Sequence, residues 1–465
     1  MEPYDVAVLG AGLSGLVAAR DLTRAGRQVV VLEARDRVGG RILDHPLDSG
    51  GVVESGAAFI GPTQDRLQAL ADELGVATFR GPRGLSTYAT HRLGVRRMPT
   101  TVVPADPVLW PDSVQLLLRM NRMAASIDVE APWAHPQAAA WDAETFGSWL
   151  RRSTLATRRA VDYLTGWSQP AFGADPDELS LLYVLWYVAC SGNADKRGTV
   201  ERNGGTTRAA QERRFDGGAQ QLPLRLAATL PDGTVRLTSA VTTVRQDADG
   251  VDLTTTDGTV RARRLVLAAP PDPLGRVDWG DALPASRTDL WRRMPMGRLM
   301  KVDAVYDRPF WRDERRNGFA MAPDGPVRVT FDNTARTPGA PGVLLAFIGG
   351  AAWREVADLA PHPRRDAVLR GLARLYGERA LTPVEYVEYD WAEPRPGPDD
   401  PARWTGGAPV PVLAPGVMTG GFDQVRTPVG RIHVAGTETS TYWTGYMDGA
   451  VRAGERAARE VLTAR

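Results

Sequence analysis

Three glycines near the start of the chain have the spacing of a phosphate-binding turn. Gly10, Gly12 and Gly15 follow the apolar, β-prone run 6–9 and precede a predicted helix at 16–25. In such a turn the first glycine permits a tight bend, the second lets the backbone approach a pyrophosphate, and the third lets helix and strand pack closely. The helix N-terminus directs free N–H groups and a partial positive charge at the phosphates.

An acid follows the next predicted strand at the distance typical of a dinucleotide site. The strand covers 28–32, and Glu33 lies 18 positions after Gly15, where a carboxylate accepts hydrogen bonds from an adenosine ribose. A glycine motif alone is weak evidence, because glycine-rich turns are common. Here strand, helix, second strand and acid occur together, so we predict a dinucleotide site. A glycine turn with a purely structural role is the alternative.

The stretch after this acid points to a particular family. Arg35, Arg37 and Arg41 surround the pair 39–40, which offers cations and close backbone approach to a cofactor lying along the strand ends. The run Glu-Ala-x-x-x-x-Gly-Gly-Arg from Glu33 to Arg41 resembles the FAD-dependent amine oxidase family, which includes monoamine oxidase and its bacterial relatives. The resemblance extends over almost the whole chain.

A second group of motif residues lies near the C-terminus. Residues 436–438, Gly-Thr-Glu, follow a predicted strand at 431–435, and a predicted helix begins near Tyr446 and reaches 462. The turn can place an acid and an N–H group on a ribityl or pyrophosphate oxygen. The helix puts its positive end where charge builds up on a reduced flavin. Both halves resemble the C-terminal motif of the amine oxidases, and an ordinary strand–turn–helix is the alternative.

The resemblance implies an α/β protein in which a Rossmann-type, GR2-like FAD-binding domain is interleaved with an α+β substrate-binding domain. We expect the FAD-binding domain to comprise 1–80, 211–291 and 402–465, and the substrate-binding domain to comprise 81–210 and 292–401. The sequence shows no internal repeat, so the two domains alternate along the chain.

Within the second FAD-binding segment, Asp-Gly pairs predict two hairpin turns. The pairs lie at 249–250 and 257–258, between β-prone runs, and such pairs favour tight turns. After the second turn we predict a strand at 259–261 and then a separate, buried strand that begins at Leu265. This last strand is expected to end at the cofactor.

The motifs and the resemblance together give the expected cofactor-binding residues. They are Gly10, Gly12, Ser14, Gly15, Glu33, Ala34, Arg35, Gly39, Gly40, Arg41, Ala57, Ala58, Phe59, Val241, Gly436, Thr437, Glu438, Tyr446 and Met447, and the expected cofactor is FAD. The resemblance alone assigns the backbone of Val241 to the adenine and the loop 55–64 to the flavin. That loop is also consistent with a simple turn before a helix at 65–74.

The resemblance implies an oxidase mechanism with two catalytic residues. A hydride leaves the carbon next to the amine nitrogen for flavin N5, an imine forms, and dioxygen reoxidises the flavin to give hydrogen peroxide. Lys301 would hold a water at flavin N5, and Tyr446 would be one of two aromatic rings that flank the amine. A buried lysine needs a partner for its charge. A lysine that reaches solvent from a strand is the alternative.

Two positions depart from the family pattern. Pro409 stands where the second ring is expected, so half of the aromatic cage is absent. Trp404 or Trp443 is a candidate substitute, and a structural role is the alternative for Trp443. Ala408 stands where monoamine oxidases have the cysteine that bonds to the flavin, and an alanine methyl cannot form a thioether. We therefore expect FAD to be held without a covalent bond. The expected substrate-pocket residues are Trp404, Pro409 and Tyr187.

The composition gives no indication of a nucleic-acid or membrane partner. The 465 residues include 56 Lys and Arg against 55 Asp and Glu, so no strongly basic surface is expected. The one cysteine, Cys190, excludes an intrachain disulfide and fits a reducing compartment, and the scattered histidines predict no metal site. We recognise no signal peptide, membrane-length apolar run or C-terminal anchor, so the expected location is cytoplasmic.

The favoured function is that of an FAD-dependent amine oxidase acting with dioxygen on a small-molecule amine or an amine-containing metabolite. The alternative is a flavin-dependent dehydrogenase or desaturase of an amino acid or biosynthetic intermediate. A flavin-binding protein without turnover is a third candidate, against which the retained Lys301 and Tyr446 argue. The sequence does not specify the substrate or the assembly, for which a homodimer is one candidate.

Overall fold

Two large β-sheets and the helices packed on them are seen in the computed structural model, which describes residues 3–90, 94–99, 109–155, 159–392 and 407–464. The strands are β1 (Tyr4–Leu9), β2 (Val29–Leu32), β3 (Asp44–Pro46), β4 (Val52–Glu54), β5 (Phe59–Ile60), β6 (Thr78–Arg80), β7 (Leu85–Thr90), β8 (Gly94–Pro99), β9 (Arg213–Phe215), β10 (Val235–Arg236), β11 (Val241–Gln246), β12 (Val251–Thr255), β13 (Gly258–Leu267), β14 (Leu299–Tyr306), β15 (Arg316–Met321), β16 (Val329–Asp332), β17 (Gly342–Gly349), β18 (Glu385–Asp390) and β19 (Ile432–Val434). The α-helices are α1 (Leu13–Arg24), α2 (Asp65–Glu73), α3 (Trp110–Ala125), α4 (Ala138–Asp142), α5 (Phe146–Ser153), α6 (Arg159–Phe172), α7 (Leu181–Ala189), α8 (Val200–Gly204), α9 (Gln221–Ala228), α10 (Pro271–Gly275), α11 (Ala285–Arg292), α12 (Ala351–Ala357), α13 (Pro361–Tyr376) and α14 (Met447–Thr463). Trp404, a predicted pocket residue, lies outside the described residues.

The first sheet carries the glycine-rich turn. Its strand order is β10-β2-β1-β13-β12-β11, with β19 beside β13, and β1 runs parallel to both β2 and β13. β2 consists of four consecutive apolar residues that are all buried, as is typical of parallel strands covered on both faces. Helix α1 begins shortly after β1 and packs on the sheet, so the C-terminal end of β1 lies next to the N-terminus of α1.

β13 corrects one prediction about this sheet. The strand predicted at 259–261 and the separate strand predicted from Leu265 are a single strand. Its first half pairs antiparallel with β12, and its second half pairs parallel with β1 on one side and with β19 on the other. The arginines at 261, 263 and 264 interrupt the apolar run, but strand pairing uses the backbone, which these side chains leave unchanged.

The second sheet has the order β18-β14-β17-β16-β15-β7-β8. β14 lies between β17 and β18 and is antiparallel to both. All eight of its residues are buried. Successive side chains of a strand point to opposite faces, so Lys301 and Asp303, two positions apart on β14, share a face and need partners inside the protein.

The two sheets are built from alternating parts of the chain. The first uses strands from 4–32, 235–267 and 432–434, and the second uses strands from 85–99 and 299–390. The α/β class and the interleaved arrangement are therefore confirmed. The domain limits after 80, 210 and 291 stay predictions, and the limit after 401 lies outside the described residues.

Helices from the two ends of the chain pack against each other. Leu16 of α1 and Val451 of α14 belong to one buried apolar cluster. Gly454 of α14 lies so close to α1 that a Cβ there would be 2.4 Å from the carbonyl oxygen of Ser14. This close packing holds the C-terminal motif beside the glycine-rich turn.

Three further observations bear on the function classes considered above. No helix within the described ranges is long and apolar enough to span a membrane. In the same ranges, no group of three or more His, Cys, Asp or Glu side chains is arranged to hold a metal ion. Cys190 is fully buried at the end of α7, where burial raises the pKa of its thiol well above the usual value, so it is a poor nucleophile.

Candidate active site

A cavity of about 460 Å³ is lined by residues of both sheets and of the helices between them. The predicted site residues that line it are Gly10, Gly12, Ser14, Glu33, Ala34, Arg35, Gly39, Gly40, Arg41, Ala57, Ala58, Phe59, Tyr187, Val241, Lys301, Pro409, Gly436, Thr437, Tyr446 and Met447. Gly15 and Glu438 do not line it. The fold thus brings residues from both ends and the middle of the chain to one space.

Each of the three N-terminal glycines has a different environment. Gly10 has φ of +106°, a backbone conformation that favours glycine. A Cβ at Gly15 would lie 2.0 Å from the carbonyl oxygen of Gly10, so helix and strand pack closely there. Gly12 lines the cavity, and a Cβ there would come no closer than 4.0 Å to its neighbour, Gly40. The backbone at Gly12 is therefore open on the cavity side, as close approach of a pyrophosphate requires.

The groups around this turn fit an anionic dinucleotide. The first hydrogen bond within α1 runs from the Leu16 N–H to the Gly12 oxygen at 3.0 Å, so the preceding N–H groups of the helix have no partner inside it. Glu33 is 8% exposed and accepts hydrogen bonds from the N–H groups of Ala11 (2.7 Å) and Arg35 (3.0 Å). N–H groups for phosphates and a fixed acid for a ribose form the set that such a nucleotide needs.

Side-chain contacts tie the C-terminal motif to the N-terminal one. The Ser14 hydroxyl oxygen accepts a hydrogen bond from the N–H of Gly436 at 2.9 Å. Arg41 pairs with Glu438 at 2.6 Å and donates to the carbonyl oxygen of Pro409 at 2.8 Å. The structure therefore gives Glu438 a contact with Arg41, and its contact with the cofactor stays a prediction.

Lys301 is held inside the protein by backbone oxygens. Its ammonium donates to the carbonyl oxygens of Glu54 and Gly56, the latter at 2.7 Å, and lies 5.3 Å from the ring centre of Phe347. The side chain lines the cavity and the residue is only 3% exposed, which excludes the alternative of a lysine that reaches solvent. Burial lowers the pKa of Lys301 from its usual value, and the nearby carboxylates of Asp303 and Glu54 oppose that effect.

Buried charges surround this lysine, and the sequence analysis missed them. Glu54 is fully buried and pairs with Arg214 at 2.8 Å. Asp303 is 1% exposed and accepts a hydrogen bond from Asn333 at 2.8 Å. Burial raises the pKa of Asp303 to about 6 and that of Asp44 to about 7. The i, i+2 spacing of Asp303 from Lys301 on an apolar strand was the available signal, whereas Glu54 and Arg214 meet only through the fold.

Tyr446 is fixed at the N-terminal end of α14. Its hydroxyl accepts a hydrogen bond from the side-chain amide of Asn203 at 3.0 Å. The ring stacks on that of Tyr187, with centroids 6.0 Å apart and planes at 29°. Burial raises the pKa of the Tyr446 phenol to about 12, so the side chain is neutral at physiological pH.

No second ring stands at Pro409. Trp443 lies edge-on to Tyr446, with ring centroids 4.9 Å apart, and its indole N–H donates to the carbonyl oxygen of Thr63. Trp443 is buried and does not line the cavity, which favours the alternative of a structural role, while Trp404 lies outside the described residues. Ala408 also lines the cavity.

The part of the cavity wall that is formed by β15, β16 and β17 of the second sheet is apolar. It consists of Phe319, Met321, Val329, Phe331 and Phe347, which come from three neighbouring strands. None of these residues has a local sequence signal for a pocket, because alternating apolar residues on strands indicate core equally well. Their position suits the apolar part of a substrate.

Comparison with known proteins decides the family. The family described as flavin containing amine oxidoreductase matches residues 13–462. A flavin-containing amine oxidase from Danio rerio is 36% identical over 467 residues, which cover 99% of this chain and 86% of the relative. The chain belongs to the flavin-containing amine oxidoreductase family. It is therefore a flavin-dependent enzyme of amine oxidation whose cofactor is FAD, as the sequence motifs predicted.

Two other known proteins are similar to the chain over nearly its whole length. An L-amino acid dehydrogenase from Synechocystis is 33% identical over 477 residues, covering 98% of this chain and 94% of the relative. The solved structure of wild-type putrescine oxidase bound to putrescine has a TM-score of 0.91 and 31% identity, covering 99% of each chain. Proteins similar to this chain therefore differ in the substrate that their names give.

The substitution Gly12→Ala tests the cavity side of the glycine turn. A methyl group there meets no atom closer than 4.0 Å, so we expect the apoprotein to lose less than about 1 kcal/mol of stability. We expect FAD to bind at least ~10-fold more weakly, because the methyl fills the space that a pyrophosphate needs. Thermal unfolding and fluorescence titration with FAD measure both quantities. Gly275→Ala is the control, because Gly275 lies outside the cavity and a Cβ there meets nothing within 4 Å. Equal FAD affinity in the wild type and both variants would contradict the expectation.

The raised pKa of Asp44 predicts a pH-dependent stability of the apoprotein. The folded state binds the proton more tightly than the unfolded chain, so the free energy of unfolding falls as the pH rises from 3.8 to about 7. Asp44→Asn keeps a neutral side chain and should reduce that slope by up to about 1.4 kcal/mol per pH unit. Urea unfolding across this window measures the slope. The exposed Asp249→Asn is the control, and identical slopes in the wild type and Asp44→Asn would refute the assignment.

Proposed function

We propose that this amine oxidoreductase holds FAD without a covalent bond and transfers a hydride from the carbon beside an amine nitrogen, with dioxygen as the electron acceptor. The observation that carries the proposal is one cavity lined by Gly12 and Glu33 of the nucleotide site and also by Lys301 and Tyr446. When bound, FAD accepts the hydride at N5 and passes the electrons to dioxygen.

In the proposed site, segments near the two ends of the chain bind the cofactor. The N-terminal end of α1 and the open backbone at Gly12 bind the pyrophosphate, and Glu33 binds the ribose. The N-terminal end of α14, at Tyr446 and Met447, places its positive pole near the flavin. The contacts of Arg41 with Glu438 and Pro409 keep these segments together.

Lys301 has one donor left for the reaction. An ammonium has three N–H groups, and two of them are directed at the oxygens of Glu54 and Gly56. We assign the third to a water or polar group in the cavity, which Lys301 lines. Because the side chain is buried and held at two points, the position of that water is fixed by the fold.

Tyr446 and Tyr187 form one aromatic side of the substrate site. The face of a phenol ring attracts a cationic or partly positive amine, and the hydrogen bond from Asn203 fixes the orientation of Tyr446. Pro409 and Ala408 line the cavity with small side chains. Because no second ring stands at Pro409, the site leaves room for a bulkier amine than a site with two rings accepts.

The absence of a flavin-linking side chain at Ala408 predicts that the cofactor is released by denaturation. The methyl group offers no atom for a thioether, and Cys190 is fully buried outside the cavity. Acid precipitation of the purified holoenzyme should leave all of the yellow colour in the supernatant. Flavin absorbance that stays with the washed pellet would disprove non-covalent binding.

Amine-dependent reduction of the bound flavin tests the proposed reaction. Anaerobic mixing with an alkylamine should bleach the flavin, and turnover in air should release hydrogen peroxide. Tyr446→Leu should slow the reduction about 10-fold through loss of the ring face, whereas Tyr446→Phe keeps the ring and should stay within about 3-fold of the wild type. Stopped-flow absorbance measures both rates. A flavin that no amine reduces would refute the proposal, and equal rates in both variants would refute the role of the ring.

The similarity to the Synechocystis L-amino acid dehydrogenase favours a second candidate, an amino-acid dehydrogenase with another electron acceptor. A substrate carboxylate calls for a free cation. Among the described residues that line the cavity, the Lys and Arg side chains are Arg35, Arg41 and Lys301. Arg41 binds Glu438 and Pro409. Arg35 donates to the carbonyl oxygen of Gly40, and Lys301 donates to those of Glu54 and Gly56. This arrangement supports an amine without a carboxylate. Flavin reduced by amino acids and reoxidised slowly by dioxygen would support the dehydrogenase instead.

We also propose a cytoplasmic location and leave a homodimer as a prediction. The buried Cys190, the one cysteine in the sequence, is compatible with a reducing compartment. Cell fractionation and analytical ultracentrifugation measure the two properties.

A further inference from the structure

The cavity has an acid on its helical wall. Among the described residues that line it, the carboxylates are Glu33 of the nucleotide site and Glu201 of α8. Glu201 is two positions from Asn203, the residue that hydrogen-bonds the Tyr446 hydroxyl at 3.0 Å. The short helix α8 therefore carries both the acid and the residue that contacts Tyr446 on the aromatic side of the substrate site.

The carboxylate of Glu201 is held in place but has no counter-charge. Its Oε2 accepts a hydrogen bond from the side-chain amide of Asn121 at 2.9 Å, and the amide oxygen of Asn121 accepts one from the Val200 N–H at 2.9 Å. Asn121 thus fixes both the start of α8 and the acid. Within the part of the chain that the structure describes, Glu201 takes part in no ion pair, and the side-chain hydrogen bond it accepts is the one from Asn121 to Oε2. In Glu33, by contrast, backbone N–H groups bind both oxygens.

Apolar side chains near Glu201 make it unfavourable for its carboxylate to remain without a cation. The residue is partly buried, and α3 and α6 contribute Leu117 and Leu164 to the same cavity. A carboxylate beside apolar surface gains most from a cation or a donor that enters the cavity. Trp167 also lines the cavity and packs against α8, where a Cβ on Gly204 would be 2.8 Å from its ring. Its indole gives this wall an aromatic group suited to a cation.

We propose that Glu201 binds a second ammonium group, at the end of the substrate opposite to the reacting amine. The substrate class is then an aliphatic amine with a remote cation, of which a primary diamine is the simplest member. This inference rests on the proposed amine oxidation, which supplies the reacting end near Lys301 and Tyr446. The apolar chain between the two nitrogens lies along the phenylalanine-rich wall of the second sheet.

Matched substrates test the inference on the wild-type holoenzyme. Each α,ω-diamine is compared with the n-alkylamine of the same carbon number, so the pair differs by one ammonium group. For the chain length that fits best, we expect kcat/KM to be at least ~10-fold higher for the diamine. Equal or lower values for the diamines at every chain length would overturn the inference, while oxidation of the alkylamines would leave the proposed function intact. A flavin that neither series reduces would instead refute the proposed function.

The variant Glu201→Gln assigns the preference to this residue. The amide keeps the size of the side chain and an oxygen for Asn121 but removes the charge. We expect KM for the diamine to rise at least ~10-fold, with the alkylamine changed less than about 2-fold. Glu378→Gln, which removes an exposed acid away from the cavity, should change neither. Equal losses for both substrates in Glu201→Gln would overturn the assignment, and the flavin content of each variant verifies that it folds.

Discussion

The arrangement depends on the contact between the two ends of the chain. The hydroxyl of Ser14, one residue inside the first helix, accepts the N–H of Gly436, and Arg41 binds both Glu438 and the Pro409 carbonyl oxygen. These contacts are largely buried, where an unmatched charge or donor would be costly. They make the nucleotide turn and the substrate-facing motif one unit, although more than 400 positions separate Ser14 from Gly436.

A second constraint is the placement of charge in an apolar sheet. β14 is buried along its whole length, yet it carries Lys301 and Asp303 on one face. The fold compensates with backbone oxygens from the loop after β4, with Asn333 and with the pair Glu54–Arg214. The two hydrogen bonds from the ammonium to backbone oxygens hold the side chain of Lys301 in one orientation. The lysine therefore has a fixed direction in the cavity, which a solvent-exposed lysine would not have.

The substrate side combines two unlike walls. The sheet contributes aromatic and aliphatic side chains, whereas the helical wall contributes Tyr446, Asn203 and Glu201. The apolar part of an amine is complementary to the sheet wall, and its polar part is complementary to the helical wall. Pro409, which lines the cavity at the position predicted for the second ring, supplies no aromatic face there, and the proposed function therefore assigns the selection of the substrate to the remaining groups.

The sequence by itself determined the family, and it predicted the nucleotide turn and Glu33 from local patterns whose spacing has a physical cause. The C-terminal motif and Lys301 were predicted through the resemblance. It also predicted the interleaved α/β fold through the resemblance. Only the tertiary structure decided which groups meet across long separations: Glu54 with Lys301, Asn203 with Tyr446, and the acid Glu201 with the cavity. Contacts of this kind leave no periodic signal, since they depend on how strands and helices pack and not on neighbours in the chain. The same reason explains why the one strand at 258–267 was predicted as two: its polar residues break the local pattern, while pairing with three neighbouring strands holds it together.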